Sequence, residues 1–532
     1  MEVDHEKTGG ISHCEVLSGQ QSDAVAHLAS HEDHQQTRMQ AIKQNPWVFA
    51  WCMYAVWMTI VVSFENQASG IVIGIPQFRK DFGYLDVDGG TYVIPAQWQA
   101  AFSAGPVAST AIGALTAGFF ADLLGRKKTV MAFLAVSFGS ITMEFVSTTN
   151  SLFFAGKFVN GLAVGVLAAI CPTYVGEISP LAIRGLLTCL IALAYTIGPL
   201  TASLILNSTG TMETRWAYRA VFCAQYGFAG LAALFVVFMP ESPWWLCSRG
   251  EDQKALRSLA RLGYTENGEG EKRLAIIKFT LEQVKRETEG ATYLECFRKS
   301  NLRRTIISIA PLSIQALGGV IFIAGYSTYY FQLAGFSTAF SFQLFVVLQV
   351  VSMVGNICSW FVIDRVGRRN LTLWGVAVLT VILMLAGGLA TVGSVPALKG
   401  CIAFMVVYGF FYNISIGSTA YTILTENATS RLRIKTIAIG IAVQNSWYTM
   451  WNLVLPYLFN PDKANLGAKI SFIFGGLSVL SCIYVYFYQP ETAGRSYEEL
   501  DEMYMKHVPA RAFRTFVTEA QRQGQEVSKE EE

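Results

Sequence analysis

The chain alternates long apolar runs with short polar breaks along most of its length. A hydrocarbon core of ~30 Å takes about 20 residues of apolar helix. By that measure, runs at about 47–76, 97–121, 129–147, 152–174, 185–207, 218–239, 305–330, 341–363, 371–390, 398–424, 434–458 and 468–488 predict twelve membrane-spanning helices. The expected architecture is an all-α membrane protein with the twelve spans in two six-helix bundles, 47–240 and 305–489. Residues 1–46 are polar and aperiodic, which predicts a disordered tail. The 241–304 segment is dense in charge and predicts a helical linker. Within it, Leu274, Ile277, Leu281 and Val284 form one apolar stripe, as on a helix resting under a bundle. Residues 490–532 form a second polar tail.

The stretch Gly118–Lys128, GFFADLLGRKK, joins two spans through a tight, basic turn. Glycine permits both the reversal and a close helix approach. A shorter version recurs at Asp364-Arg-Val-Gly-Arg-Arg369. The offsets repeat: 364 − 122 = 242 for the aspartates and 368 − 126 = 242 for the arginines. Glu177 and Arg184 are echoed by Glu426 and Arg433, where 426 − 177 = 433 − 184 = 249. Pro240-Glu-Ser is echoed by Pro490-Glu-Thr, at 490 − 240 = 250. Marks repeating in order at a near-constant offset indicate two related halves, as in transporters built from duplicated bundles.

Composition narrows the function further. Of 532 residues, 52% are hydrophobic and 15% charged, well below the quarter or so of a soluble domain. A net charge of +2 gives no reason to expect nucleic acid. The ten cysteines show no metal or disulfide spacing, and all six histidines lie in the polar tails. Neither a metal nor an organic cofactor is expected, and no nucleophile–base set or phosphate loop suggests an enzyme. Lys and Arg gather in alternate loops with the linker, so both termini are expected in the cytosol. Asn207-Ser-Thr209 would then face outward as a glycosylation acceptor, and Asn427-Ala-Thr429 inward, out of reach.

Together, Gly118-x3-Asp122-x2-Gly125-Arg126-Lys127, Pro172-x-Tyr174-x2-Glu177-Ile-Ser-Pro180, Pro240-Glu-Ser-Pro243 and Pro490-Glu-Thr492 resemble the sugar porter family of the major facilitator superfamily, over about 47–515. PESPWWL (240–246), QALGGVIFIAGYSTYYF (315–331), FFYN (410–413), SRLRIKT (430–436), PETAGR (490–495) and VPARAFR (508–514) are similar to fungal maltose and α-glucoside permeases. The resemblance implies import of an α-glucoside across the plasma membrane, coupled to proton entry, with the proton as the only co-substrate. Partners would be a small-molecule sugar and the lipid bilayer, and a monomer is expected. Ala316 and Ile321 depart from the Gln and Asn of many sugar porters, and Pro199 from a Gln. Transport of another sugar, polyol or metabolite, in either direction, is therefore a second reading. A transporter-like sugar sensor is a third, opposed by tails of modest length.

Glu65 lies well inside the first span, where an ionised carboxylate is costly. It stands where the resemblance places a proton-accepting acid, and Lys157 where the family often has Arg. A Glu65–Lys157 ion pair that opens on protonation is the expectation; a fixed pair locking two helices is its alternative. Glu144, near the end of the third span, reads as solvated. Sugar hydroxyls call for amides and aromatic faces. Candidates are Gln315, Tyr326, Tyr329, Asn413, Gln444, Asn445, Trp447 and, less strongly, Gln99. Asp122, Arg126, Glu177, Arg184, Asp364, Arg368, Glu426 and Arg433 would form a cytosolic gate of charge pairs, open in one state and closed in the other.

Overall fold

A computed structural model describes residues 38–86, 91–265, 268–288, 292–333, 335–429, 432–460, 463–493, 495 and 497–518. The first half comprises α1 (Arg38–Gln44), α2 (Pro46–Ile71), α3 (Pro76–Phe82), α4 (Ala96–Leu124), α5 (Arg126–Val146), α6 (Asn150–Ile178), α7 (Leu181–Thr209) and α8 (Trp216–Val236). A hairpin of β1 (Tyr84–Asp86) and antiparallel β2 (Thr91–Val93) sits between α3 and α4. The linker forms α9 (Pro243–Ser248), α10 (Asp252–Arg261) and α11 (Glu269–Thr288). The second half follows as α12 (Lys299–Leu317), α13 (Val320–Leu333), α14 (Thr338–Val366), α15 (Arg368–Val392), α16 (Val395–Ile414), α17 (Ile416–Asn427), α18 (Arg433–Phe459), α19 (Ile470–Tyr488) and α20 (Tyr497–Met505).

Among the described residues twelve spans result, because α12 with α13 and α16 with α17 each form one broken crossing. Eleven of these are long and apolar enough to cross a bilayer by composition alone. The twelfth, α18, has the length but carries Gln444, Asn445, Ser446 and Asn452 in its middle. The first break falls at Gly318-Gly319, where Gly319 takes φ +88° against the Phe474 ring. The second falls at Ser415, whose hydroxyl donates to the Phe411 carbonyl. Broken helices of this kind place backbone carbonyls inside a transporter, tolerable only where protein or water satisfies them.

The packing repeats as the sequence offsets require. In the first half α4 packs on α6 and α2 on α7; in the second, α14 packs on α16 and α12 on α18. The halves meet most extensively along α4 with α18 and α7 with α14. Bare helix surfaces allow the tight crossings: a Cβ on Gly165 would collide with the Thr110 carbonyl, and one on Gly161 with Ser109 and Pro106.

Among the described residues, α1, the linker and α20 lie on one side of the bundle, the terminal side; the β-hairpin marks the far side. Residues 1–37 lie outside the described residues. The tail expected to lack structure to residue 46 ends instead in α1, because Ile42 packs against the apolar core of the first half. Ile277 is buried against that core, with Leu274 and Leu281 beside it, while the Val284 side chain lies outside the described residues. The second tail is docked rather than free as far as residue 518. Leu500, Met503, Tyr504, Val508 and Phe513 close an apolar cluster with Ile307 of α12.

Candidate transport site

In the first half a polar knot is buried between α2, α5, α6 and α8. Glu65 of α2 accepts from Asn160 Nδ2 of α6 at 2.6 Å and from Gln225 Nε2 of α8 at 2.5 Å, both on Oε2. Asn160 also donates to Glu144 Oε1 of α5 at 3.1 Å, and its own Oδ1 accepts from Ser137 at 3.0 Å. Lys157 lies 2.7 Å from Glu144 Oε2, with 1% and 0% of the two side chains exposed. The expected Glu65–Lys157 ion pair is therefore replaced by a Glu144–Lys157 pair. Glu144, expected to be solvated, is fully buried, because aromatic residues seal this end of the bundle. Phe153 and Phe222 flank the Lys157 ammonium at 5.9 and 5.1 Å. Glu65 Oε1 has no hydrogen-bond partner among the described residues. Glu65 lines a space of ≈ 10 Å³ with Asn66, Pro106, Lys157, Asn160 and Gly161, about what one water needs.

In the second half the amides gather around the broken crossing. Gln315 of α12 donates to the Ile416 carbonyl at 2.8 Å, at the start of α17. Gln444 Nε2 donates to Gln315 Oε1 at 2.6 Å, and Tyr421 donates to Gln444 Oε1 at 2.9 Å. Tyr448 extends the chain, 3.3 Å from Gln444 Nε2, and Tyr408 stacks on Tyr412 at 5.9 Å. Tyr195 of α7 and Tyr421 lie within electrostatic reach of each other across the midline, yet keep 41% and 48% of their surface exposed. With the exposed Asn66, they mark a water-accessible space between the halves.

The remaining sugar candidates divide. Asn413 donates to its own helix at Gly409. Asn445 and Trp447 are half-buried on α18 and take no part in the Gln315–Gln444 chain. Gln99 is fully buried at the start of α4 and donates to the Ile94 carbonyl, so it secures a helix end on the far side instead of facing a ligand. Tyr326 and Tyr329 also belong to the far side. Tyr329 packs on Phe459 at 5.4 Å with the Arg79 guanidinium 5.4 Å above its ring, and Tyr326 faces Ser103 of α4.

That far side is closed. Arg79 donates to Gln332 Oε1 at 2.5 Å, and Gln332 donates to the Gly74 carbonyl at 2.7 Å. Gln67 donates to the Ala324 carbonyl at 3.1 Å. Gly70 faces Gly325 and Gly74 faces Thr328, which brings α2 and α13 into backbone contact. Nothing in the local pattern singled out Gln332 or Arg79, since their meaning depends on two halves touching.

The charge pairs expected as a gate lie within each half. Arg126 bonds Glu177 at 2.6 Å and lies 3.7 Å from Asp122; Arg368 bonds Glu426 at 3.2 Å. The side chains of Arg184, Asp364 and Arg433 lie outside the described residues. Glu241 and Glu491 complete the knots by accepting from the Arg126 and Arg368 backbone N–H groups at 2.7 and 2.8 Å. Gly125 and Gly367 permit this, at φ +87° and +90°, because a Cβ on either would strike the carboxylate. Burial pushes the Glu241 carboxyl above its ordinary range, opposed by the backbone donors of Ser242, Lys127 and Arg126. The repeated Pro-Glu-Ser and Pro-Glu-Thr marks were the signal for these two acids. Asn207 is exposed at the far end of α7, whereas Asn427 is fully buried and accepts from Tyr504. Among the described residues, no group of three or more His, Cys, Asp or Glu could hold a metal.

Two related six-helix bundles around a polar midline, with two broken crossings, define a multi-pass membrane transporter of the major facilitator fold. Residues 51–504 match the family described as "Sugar (and other) transporter", and the chain belongs to that family; it is not an enzyme. It is 26% identical over 514 residues to the general alpha-glucoside permease of Saccharomyces cerevisiae, covering 95% of this chain and 83% of that one. A maltose permease of the same yeast is 29% identical over 487 residues, covering 90% and 79%. The Escherichia coli xylose transporter in its inward-open form superposes with a TM-score of 0.70 at 18% identity, covering 85% of this chain and 99% of that one.

Proposed function

We propose that the protein imports an α-glucoside such as maltose across the plasma membrane by proton symport, with the terminal side in the cytosol. The observation that carries the coupling is Glu65. It is a buried carboxyl held by two neutral amides, and it lines a water-sized space with Asn66 and Lys157. Protonation removes the cost of burying its charge, so proton occupancy and the packing of α2 are linked. The Gln315–Gln444–Tyr421 chain supplies exchangeable donors and acceptors for sugar hydroxyls, and Tyr408 and Tyr412 supply aromatic faces. In alternating access the far-side contacts of Arg79, Gln332 and Gly74 open as the terminal side closes. The yeast permeases named above support an α-glucoside over other sugars.

The test is uptake of labelled maltose into yeast lacking its own α-glucoside permeases, with external pH followed. Uptake with alkalinisation, lost when the proton gradient is collapsed, is expected. Uptake without a pH change would identify a facilitator. Absence of uptake by surface-expressed protein would exclude maltose.

A further inference from the structure

We propose that Tyr195 of α7 is the first half's wall of the sugar site, stacking on the second ring of a two-ring α-glucoside while the Gln315–Gln444–Tyr421 chain holds the first. On the α-glucoside reading, which this assignment requires, Tyr195 sets the preference for two rings over one.

The internal repeat places this residue. Glu177 and Arg184 lead into α7 as Glu426 and Arg433 lead into α18, at an offset of 249, and 195 + 249 = 444. Tyr195 therefore holds in the first half the position that Gln444 holds in the second, where Gln444 meets Gln315. Ser63 of α2 donates to the Ala194 carbonyl at 2.9 Å, and a Cβ on Gly198 would strike Ser63 and the Phe64 backbone. Those two contacts fix the rotation of α7 against α2. Ala194 is fully buried, whereas Tyr195, turned about 100° from it, keeps 41% of its surface exposed.

That surface lines a cavity between the halves. Tyr195 is enclosed by protein yet accessible, and so is Tyr421 opposite. Tyr412 and Tyr448 are enclosed in the same way and half-buried. Several first-half amides are bonded elsewhere: Gln99 to the Ile94 carbonyl, Gln67 to the Ala324 carbonyl, and Asn160 and Gln225 to Glu65. What this half turns to the cavity is an aromatic face, with the exposed Asn66. A pyranose has a C–H face that packs on an aromatic ring and edge hydroxyls that need donors and acceptors. The two walls meet those needs separately, so one ring held by the amide chain leaves Tyr195 bare and a second ring covers it.

The test is equilibrium binding of labelled maltose and of labelled methyl α-glucoside, a one-ring α-glucoside, to the full chain in nanodiscs. In Tyr195→Ala the ratio of maltose affinity to methyl α-glucoside affinity should fall about tenfold. Tyr195→Leu, which fills the space without an aromatic face, should lower the ratio similarly, and Tyr195→Phe should restore it. Gln315→Ala should weaken both sugars and leave the ratio near the wild-type value. A ratio unmoved in Tyr195→Ala and Tyr195→Leu, through equal loss of both sugars or no loss, overturns the assignment while the α-glucoside reading stands. Failure of Tyr195→Phe to restore the ratio overturns stacking as its cause. Wild-type protein that binds neither sugar refutes the α-glucoside reading, and the assignment falls with it.

Discussion

Gln444 donates to Gln315 at 2.6 Å, and Gln315 in turn donates to the Ile416 carbonyl at 2.8 Å. The pair thus ties α18 and α12 to the first turn of α17, beside the break at Ser415. A buried carbonyl at a helix break needs a donor, and losing one costs about 1–3 kcal/mol. Gln315→Ala should lower maltose uptake about tenfold or more, with surface expression retained. Gln315→Glu should be no better, since a carboxylate cannot donate to that carbonyl. Uptake kinetics in the permease-deficient yeast check both.

Arg79 closes the far side by donating to Gln332 and lying over the Tyr329 ring. Gln332→Ala removes the acceptor for Arg79 and the donor to Gly74. The far side should then open more often. Spin labels at Asn207 and Val395, both exposed, should show a longer-distance population in the variant. An unchanged distance distribution would show that the seam is held by apolar packing alone.

Gly161 sits where α6 crosses α4, and a Cβ there would meet the Pro106 carbonyl at 2.5 Å. Backbone cannot yield as a flexible side chain can. Gly161→Ala should destabilise the first half by about 1–3 kcal/mol through overpacking. A lower melting temperature in detergent measures it. Gly118→Ala is the control, since nothing lies within 4 Å of a Cβ built there, and it should melt as the wild type.

Glu241 binds its proton more tightly in the fold than in an unfolded chain, because burial penalises its charge. Its contribution is greatest below the ordinary carboxylate range and is lost as pH rises through its folded value. Glu241→Gln should flatten that part of the stability–pH profile while keeping an oxygen to accept from Arg126. Melting temperatures from pH 4 to 7 give the comparison, and an equally steep decline in the variant would remove Glu241 as its source.

The sequence alone determined the architecture. Spans, broken crossings aside, follow from apolar length, since bilayer thickness sets a requirement that composition either meets or fails. The two halves follow from offsets near 242–250 between matching marks, because a duplicated unit keeps its turn chemistry. Individual polar residues such as Glu65, Lys157, Gln315 and Gln444 were legible too, since a polar group in lipid always needs a partner. The partners were not. Lys157 chose Glu144 over Glu65, and Gln99, Tyr326 and Tyr329 went to the far side, away from the Gln315 cluster. Those outcomes depend on helix rotation and crossing depth, and on which aromatic rings seal each end. A shift of one residue turns a helical side chain by about 100°, so only the assembled bundle could decide which carboxyl paired with the cation and which with the amides.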